Sequence, residues 1–257
     1  MTRKNFIVLL LLAFFGAFWW AGGNVVILKA FPAASRFDAS QAKNTTSGLY
    51  DHAYRVIRLK TAVEAKIDHN SYVKLNDIPL TFQQALIAVE DNRFYHHYGF
   101  DVEGILRATL VNMQTGSYTE GGSTITQQLV KNLFLNQEKS FTRKIEEFLL
   151  AVDMELCYSK AEILEMNVNT IYFGSGCYGI KAACQTYFAK SPAELTLAEG
   201  ALLAGVPNAP SLYSPFVDLT AAKQRQSVVL SLMTRNNYIG PALAAEALEA
   251  PLRLVRK

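Results

Sequence analysis

One short stretch of the chain, residues 121–132, brings together two glycines, several hydroxyl and amide side chains and a lysine. Thr124 and Gln127 have the spacing of a capping box, which predicts that a helix begins there. Free backbone N–H groups at a helix N-terminus favour an anion, and glycines let a ligand approach the backbone. Gln128 and Lys131 share the helical face of Thr124 and add an amide and a positive charge. These residue types predict a phosphate or pyrophosphate site, although spacing alone favours a capped helix with a solvated polar face.

Ionisable residues also crowd together at positions 90–101, where the preceding predicted helix ends. Glu90 borders the apolar face of that helix, and partial burial there would raise its carboxyl pKa toward that of a general base. The alternative is a polar helix C-terminus in which Arg93 and the histidines complement the dipole, and composition leaves the two equal. His96 and His97 are adjacent, so they point apart, and a structural role is favoured over zinc binding.

A second acidic candidate is Glu147, four residues after Arg143 and therefore beside it on a predicted helix. Such a pair is most often a surface ion pair with a small energetic effect. In the functional interpretation, Glu147 orients a divalent ion or a basic rim for a pyrophosphate, made of Lys131, Lys139, Arg143 and Lys144.

The elements that must position these groups are predicted to be helices, so the fold class is mainly α. Beyond residue 79, Ser/Thr-x-x-Glu/Gln capping boxes recur at Thr81, Ser159 and Thr196. Helices are predicted after residue 79, from residue 102, over 141–158, 178–189, 197–206 and 218–236, and after residue 241. Weak strand patterns are confined to 54–60 and 72–75. Apolar faces are predicted on the second helix at Val102, Ile105 and Leu106, and on the long helix at Ile145, Phe148, Leu149, Val152 and Leu156.

A membrane anchor is predicted at the N-terminus. Residues 6–28 are apolar apart from glycines and one asparagine, and as a helix they would extend about 35 Å, against about 30 Å of hydrocarbon. Arg3 and Lys4 precede them, so the positive-inside rule places the rest of the chain outside the cytoplasm. A cleaved signal peptide is the alternative, but the apolar run is long for one, and Trp19 and Trp20 suit a membrane interface.

Length and composition limit the remaining possibilities. With 257 residues, half of them apolar, the chain can bury a full core. We predict a cytoplasmic tip and transmembrane anchor over 1–30, a linker and pre-domain segment over 31–71 and one main domain over 72–257. The net charge of +3, without a basic run interleaved with aromatics, predicts no nucleic-acid partner. Three cysteines without metal-ligand spacing are expected to be buried free thiols.

Five motifs follow one another along residues 72–238. They are Glu90-Asp91-x-x-Phe94-x-x-His97-x-Gly99-x-Asp101; Gly122-x-Thr124 within residues 121–132; Arg143-Lys144-x-x-Glu147; Ile163-Leu164-Glu165 to Asn169-x-Ile171-Tyr172-Phe173-Gly174, with Tyr178-Gly179-Ile180; and residues 197–204 before Pro207 and Pro210. In this order and spacing they closely resemble the peptidoglycan glycosyltransferases of family 51. Several long motifs together are far more specific than any one alone.

The resemblance implies a mainly α, lysozyme-like domain of two lobes, with a small membrane-associated jaw lobe around 101–136 and one N-terminal transmembrane helix before it. It implies polymerisation of lipid II, a disaccharide-pentapeptide on undecaprenyl pyrophosphate, into β-1,4-linked glycan strands. The implied partners are lipid II, the growing glycan chain and the membrane, with other cell-wall synthesis proteins as further candidates. The implied location is the bacterial inner membrane, with the catalytic domain outside the cytoplasm.

The resemblance also assigns roles to residues. Glu90 is the general base that takes the proton of the acceptor's 4-hydroxyl as that oxygen attacks C1 of the donor sugar with inversion. Glu147 is the second catalytic carboxylate and places the leaving pyrophosphate; no cofactor is implied as required, and participation of Mg²⁺ or Mn²⁺ there stays open. Substrate-binding positions are Ser123, Thr124, Gln127, Gln128, Lys131, Asn132, Lys139, Arg143 and Lys144. Supporting positions are Asp91, Phe94, His97, Gly99, Asp101 and Gly122.

Two departures and two alternatives accompany the resemblance. Lys139 stands where the family often has Arg, which keeps the charge but loses bidentate phosphate contact, and residues 166–169 replace the usual Tyr-Leu-Asn, with an expected effect on packing. A glycan-cleaving lysozyme-like lytic enzyme would share one catalytic Glu but needs no anion site. A non-catalytic cell-wall scaffold is the other alternative. The end of the chain at Lys257 fits a monofunctional enzyme or the front part of a class A penicillin-binding protein.

Overall fold

The computed structural model describes residues 58–116, 121–135 and 141–255, which are mostly helical. In chain order the α-helices are α1 (Leu59–Glu64), α2 (Leu80–Glu90), α3 (Val102–Thr115), α4 (Ile125–Phe134), α5 (Phe141–Cys157), α6 (Lys160–Thr170), α7 (Ile180–Phe188), α8 (Leu197–Gly205), α9 (Pro210–Tyr213), α10 (Leu219–Arg235) and α11 (Pro241–Glu249). Short 3-10 helices lie at Leu75–Asp77, Phe94–His96, Pro192–Glu194 and Val206–Asn208. The predicted mainly α class is confirmed for this part of the chain.

Three predictions fall on residues that the structure does not describe. They are the membrane anchor at 6–28, the linker that follows it, and Lys139 as a substrate-binding residue. Among the helices that are described, none combines the length and the apolar character needed to cross a membrane.

Three helices begin at the capping boxes predicted from the sequence. At Thr124, Ser159 and Thr196 the hydroxyl accepts the N–H of the residue three positions later. The side chain of that later residue accepts the N–H of the cap residue in return, so two free donors of the first turn are satisfied at each site. Local sequence therefore determines where α4, α6 and α8 start.

Helix α2, which carries the acidic cluster at its end, starts differently from the prediction. It begins at Leu80 without a side-chain cap, so the capping box predicted at Thr81 is wrong. Thr81 already lies inside the first turn, where its hydroxyl no longer precedes the free N–H groups. The Gln83 amide donates instead to the carbonyls of Leu75 and Ile78, which ties α2 to the preceding turn.

The two weak strand patterns form no strand in the described residues. Residues 59–60 belong to α1, and residues 72–75 lead into a 3-10 helix. Asn169 of α6 accepts the Val73 N–H and donates to the Val73 carbonyl, at 2.8 Å each, while Glu165 accepts the Leu75 N–H. Side chains of α6 therefore satisfy this backbone in place of a neighbouring strand. Three residues of the unusual 166–169 segment, Met166, Asn167 and Val168, are buried.

The core is centred on α8, in which every residue from Ala198 to Gly205 is buried. Helix α8 packs against α2 and α10, and those two helices also contact each other. At Gly200 helix α8 faces Phe82 of α2, and a Cβ there would lie 3.4 Å from the Cβ of Phe82, which is an ordinary van der Waals contact. Since Phe82 and Leu86 are fully buried, α2 is held along its length and Glu90 at its end has a fixed position.

A second group of helices contains α4, which packs against α5 and α6. Ile125, Leu129 and Val130 of α4 are fully buried in these contacts. The end of α2 meets the beginning of α4 between the two groups, because Asp91 accepts the N–H of Ile125. The acidic cluster and the predicted anion-binding helix are therefore brought together, although 34 residues separate them in the chain.

The apolar faces predicted on α3 and α5 are largely exposed. On α5, Ile145, Leu149 and Leu156 are 43–49% exposed, while Leu150 and Met154 form part of the buried side. Apolar residues lie on two sides of this helix, so their spacing did not identify the side that packs. On α3, a stripe of exposed apolar side chains comprises Val102, Leu106, Leu110 and Met113.

Candidate active site

Glu90 lies at the C-terminus of α2 and faces α4. Its Oε2 accepts a 2.6 Å hydrogen bond from the Gln128 amide. Its Oε1 is buried and has no hydrogen-bond partner in the described chain. Burial raises the pKa of Glu90, and the negative charge of Asp91 adds to the rise, while the Gln128 hydrogen bond and the charges of Arg225 and Lys131 oppose it. The predicted direction of the pKa shift is confirmed.

Several N–H groups at the N-terminus of α4 are already hydrogen-bonded within the protein. The Ile125 N–H donates to the Asp91 carboxylate at 3.0 Å, and the Gln127 N–H donates to the Thr124 hydroxyl at 3.1 Å. The Thr124 hydroxyl in turn donates to the carbonyl of Gly99. The expectation that these N–H groups are free to bind the anion of a ligand is therefore wrong for these two donors. The reason is that Asp91 and the capping box occupy their places.

Thr124 and Gln127 are both buried, and their side chains are engaged in the capping box. In contrast, Gln128 faces Glu90, and Lys131 is exposed one turn further along α4. Asn132 is also exposed. Side chains further along α4 are therefore better placed to donate to a ligand than the backbone N–H groups of Ile125 and Gln127.

Glu147 on α5 is buried, with 2% of its surface exposed. It forms an ion pair with Lys144, three residues earlier on the same helix. The Lys144 ammonium also donates to the Ser123 hydroxyl at 3.3 Å. Glu147 therefore holds a half-exposed lysine next to the loop before α4, and Arg143 lies partly buried on the same helix.

The predicted supporting residues hold the connection between α2 and α4. The side chains of Asp91 and His97 are hydrogen-bonded to each other, and Phe94 is fully buried. The Asp101 carboxylate forms an ion pair with the Arg93 guanidinium. Gly99 has a φ of +82°, and a Cβ there would stand 2.7 Å from the Ala151 carbonyl group. Only glycine fits that close approach without displacing α5. Gly122 is less constrained, because a Cβ there would lie 3.3 Å from a side-chain carbon of Ile105 and require only a small shift of that side chain.

Residues 58–234 match the family model described as Transglycosylase. The chain belongs to this family. Penicillin-binding protein 1A of Aquifex aeolicus (strain VF5) is 46% identical over 191 residues, which are 74% of this chain and 26% of that protein. Penicillin-binding protein 1F of Bacillus subtilis (strain 168) is 47% identical over 175 residues, which are 68% of this chain and 24% of that protein. The transglycosylase chain thus spans about a quarter of the length of these relatives.

A crystal structure of penicillin-binding protein 1A from Haemophilus influenzae is 27% identical and covers 72% of this chain and 18% of that one, at a TM-score of 0.42. The family match and the identities of the curated relatives confirm the resemblance found in the motifs. The family match also confirms the predicted enzyme class, a glycosyltransferase.

One charged residue near Glu90 was not identified from the sequence. Arg225 lies on α10. Its positive charge lowers the pKa of Glu90, and this effect is larger than the effect of the Lys131 charge. Its guanidinium carbon lies 5.6 Å from the centroid of the Tyr213 ring. No local pattern marks Arg225, because α10 reaches Glu90 only through its packing against α2.

The histidines and cysteines do not form a metal cluster in the described residues of the transglycosylase domain. No group of three or more His, Cys, Asp or Glu side chains there has a suitable arrangement. His96 is exposed and His97 is buried against Asp91, as expected for adjacent side chains that point apart. The three cysteines are free; Cys177 and Cys184 are buried as predicted, and Cys157 is partly exposed.

Proposed function

We propose that this domain is a peptidoglycan glycosyltransferase that polymerises lipid II into β-1,4-linked glycan strands and releases undecaprenyl pyrophosphate. The hydrogen bond from Gln128 to Glu90 supports this most, because it sets a carboxylate of raised pKa against the polar face of α4. A base next to cationic side chains suits a reaction in which a hydroxyl attacks one sugar while a pyrophosphate leaves another.

Glu90 acts as the general base in this proposal. Its buried Oε1 forms no hydrogen bond with any other described residue, so it is available to accept the proton of the acceptor's 4-hydroxyl. A pKa raised toward the working pH makes a carboxylate a better proton acceptor. As it loses its proton, the acceptor's 4-hydroxyl oxygen attacks C1 of the donor MurNAc from the face opposite the pyrophosphate. Inversion at C1 gives the β-1,4 bond.

The side chains of α4 and α5 act on the leaving group. A departing pyrophosphate gains negative charge, which Gln128, Lys131 and Lys144 stabilise more in the transition state than in the ground state. Glu147 aligns Lys144 through their ion pair. A divalent ion at Glu147 would have to share that carboxylate with Lys144, so the lysine itself can supply the positive charge.

The lipid of this substrate requires contact with a membrane. On α3, the exposed apolar stripe, Val102, Leu106, Leu110 and Met113, follows one side of the helix and reaches 76% exposure at Met113. A contiguous apolar surface of this kind marks a membrane or partner contact. In our proposal α3 belongs to a jaw lobe at 101–136 of a two-lobed, lysozyme-like domain over 72–257. Residues 1–30 anchor that domain to the outer face of the inner membrane.

Two substrates distinguish this function from its alternatives. We expect the purified chain to convert lipid II in detergent into polymer that is visible as a ladder on a gel, and to leave finished glycan strands intact. Breakage of finished glycan without polymerisation would establish a lytic enzyme instead. Absence of both activities in the folded protein would favour a non-catalytic scaffold.

A pH profile tests the electrostatic role of Arg225. In Arg225→Gln a positive charge that lowers the pKa of Glu90 is removed, so that pKa rises further. Because catalysis needs ionised Glu90, the acidic limb of kcat/KM for lipid II polymerisation should move to higher pH. Lys223→Gln, an exposed charge change on the same helix, should leave the limb in place. An unmoved limb in Arg225→Gln would refute this role.

A further inference from the structure

Two consecutive acidic residues at the end of α2 each form a hydrogen bond with α4, and their partners on α4 are three positions apart. The Glu90 carboxylate accepts a hydrogen bond from the side-chain amide of Gln128, and the Asp91 carboxylate accepts one from the backbone N–H of Ile125. Asp91 is the C-cap residue of α2, and its backbone leaves the helical conformation with φ −159° and ψ 75°. The carboxylate of Asp91 thereby turns toward the N-terminus of α4, where the helix dipole favours a negative charge.

His97 fixes this carboxylate in place. Its Nε2 lies 3.0 and 2.9 Å from the two oxygens of Asp91, and both side chains are buried. A carboxylate only accepts hydrogen bonds, so Nε2 carries the proton and donates. The Nδ1 atom is buried without a hydrogen-bond partner in the described chain. His97 therefore has one polar contact available to it in this structure, and that contact is Asp91.

We propose that Asp91 and His97 form a positioning pair, in which His97 holds the Asp91 carboxylate against the first turn of α4 and thereby sets Glu90 relative to Gln128 and Lys131. The inference rests on the proposed glycosyltransferase function for its effect on catalysis. Neither residue needs to touch substrate. A small displacement of α4 would separate the base from the leaving-group side chains, and errors of about 1 Å can cost about 10²-fold in rate.

The pair also acts on the charge of Glu90. Asp91 raises the pKa of Glu90 through its negative charge, in addition to burial, while Gln128 and Lys131 on α4 and Arg225 on α10 lower it. Removal of the Asp91 charge should therefore lower the pKa of Glu90. A purely structural contact would change stability without moving this pKa.

Two substitutions separate these effects. Asp91→Asn keeps an oxygen for the Ile125 N–H but removes the charge, so the acidic limb of the kcat profile should move to lower pH. His97→Leu removes the donor and leaves the charge of Asp91, so kcat should fall by about 10²-fold while the limb stays. His97→Gln retains an amide donor and should recover much of the kcat lost in His97→Leu.

A matched control is available on α8. Glu199 is also a buried carboxylate at a helix N-terminus, bonded to the Thr196 N–H and paired with Lys190. Glu199→Gln should lower the melting temperature without changing kcat or its pH profile. Equal effects of Glu199→Gln and Asp91→Asn on kcat and on the pH limb would overturn the positioning role.

Two measurements on the protein alone keep this inference separate from the proposed reaction. Carbon NMR titration of labelled glutamate side chains should show a lower pKa for Glu90 in Asp91→Asn. Hydrogen exchange of the Ile125 amide should be faster in His97→Leu than in the parent protein. Unchanged values in both would reject the positioning pair even if lipid II is polymerised, whereas the expected changes in a protein without polymerase activity would reject only the proposed function.

Discussion

Glu90→Gln is expected to slow polymerisation of lipid II severely, with kcat reduced by about 10²- to 10⁴-fold, the range typical of a lost general base. The amide oxygen of the new side chain can still accept the hydrogen bond that Gln128 gives to Glu90 Oε2. The geometry of the site is therefore kept, while the group that accepts the hydroxyl proton is lost. Rates of glycan formation and the KM for lipid II measure the effect, and KM should change much less than kcat.

The same substitution should not destabilise the fold. Burial raises the pKa of Glu90, so its contribution to stability is fully present below the pKa of the unfolded chain and is lost as pH rises through the higher folded value. At neutral pH the ionised carboxylate is thus unfavourable, and a neutral amide removes that cost. The melting temperature of Glu90→Gln should equal or exceed that of the parent protein at pH 7.

Glu249→Gln provides the control for Glu90→Gln, since Glu249 also ends a helix but is exposed on α11. It should polymerise lipid II at the parent rate. If Glu90→Gln retained the parent rate while staying folded, Glu90 would not be the base, and the proposed mechanism would fail at its first step.

Local sequence signals predicted where α4, α6 and α8 begin, but not where α2 begins. Thr124, Ser159 and Thr196 cap their helices as expected, because a capping box needs only residues three positions apart. The motifs are also made of residues close together in the chain, so the family resemblance could be recognised from the sequence, and the family match confirms it. The mainly α class follows from the same signals.

Contacts between distant segments were not predictable in this way. The sequence identified the α4 N-terminus as an anion site, but Asp91 supplies the anion from 34 residues away. Arg225 reaches the surroundings of Glu90 only because α10 packs on α2. On α5, apolar residues lie on two faces, and packing against α4 and α6 selects the one with Leu150 and Met154. Each of these outcomes depends on tertiary structure.

The second large effect is expected at Glu147. Glu147→Gln should lower kcat by about 10²-fold or more, comparable to the loss of one donor to a developing negative charge. The carboxylate is buried and holds Lys144, whose ammonium also contacts Ser123. A neutral amide would release Lys144, which is half-exposed and free to turn toward solvent, so the leaving pyrophosphate would lose a positioned cation. Polymerisation rates at saturating lipid II measure this loss.

A double-mutant cycle decides how Glu147 acts. If Glu147 works by aligning Lys144, then Glu147→Gln in a Lys144→Gln background should cost little more than Lys144→Gln alone, because the two residues form one unit. If Glu147 instead binds a divalent ion, the two losses should add, and EDTA should slow the parent protein but not Glu147→Gln. Glu199→Gln, which breaks a comparable buried pair with Lys190, should keep the parent kcat. A parent rate in Glu147→Gln itself would remove Glu147 from the catalytic residues and leave Lys131 and Gln128 as the leaving-group contacts.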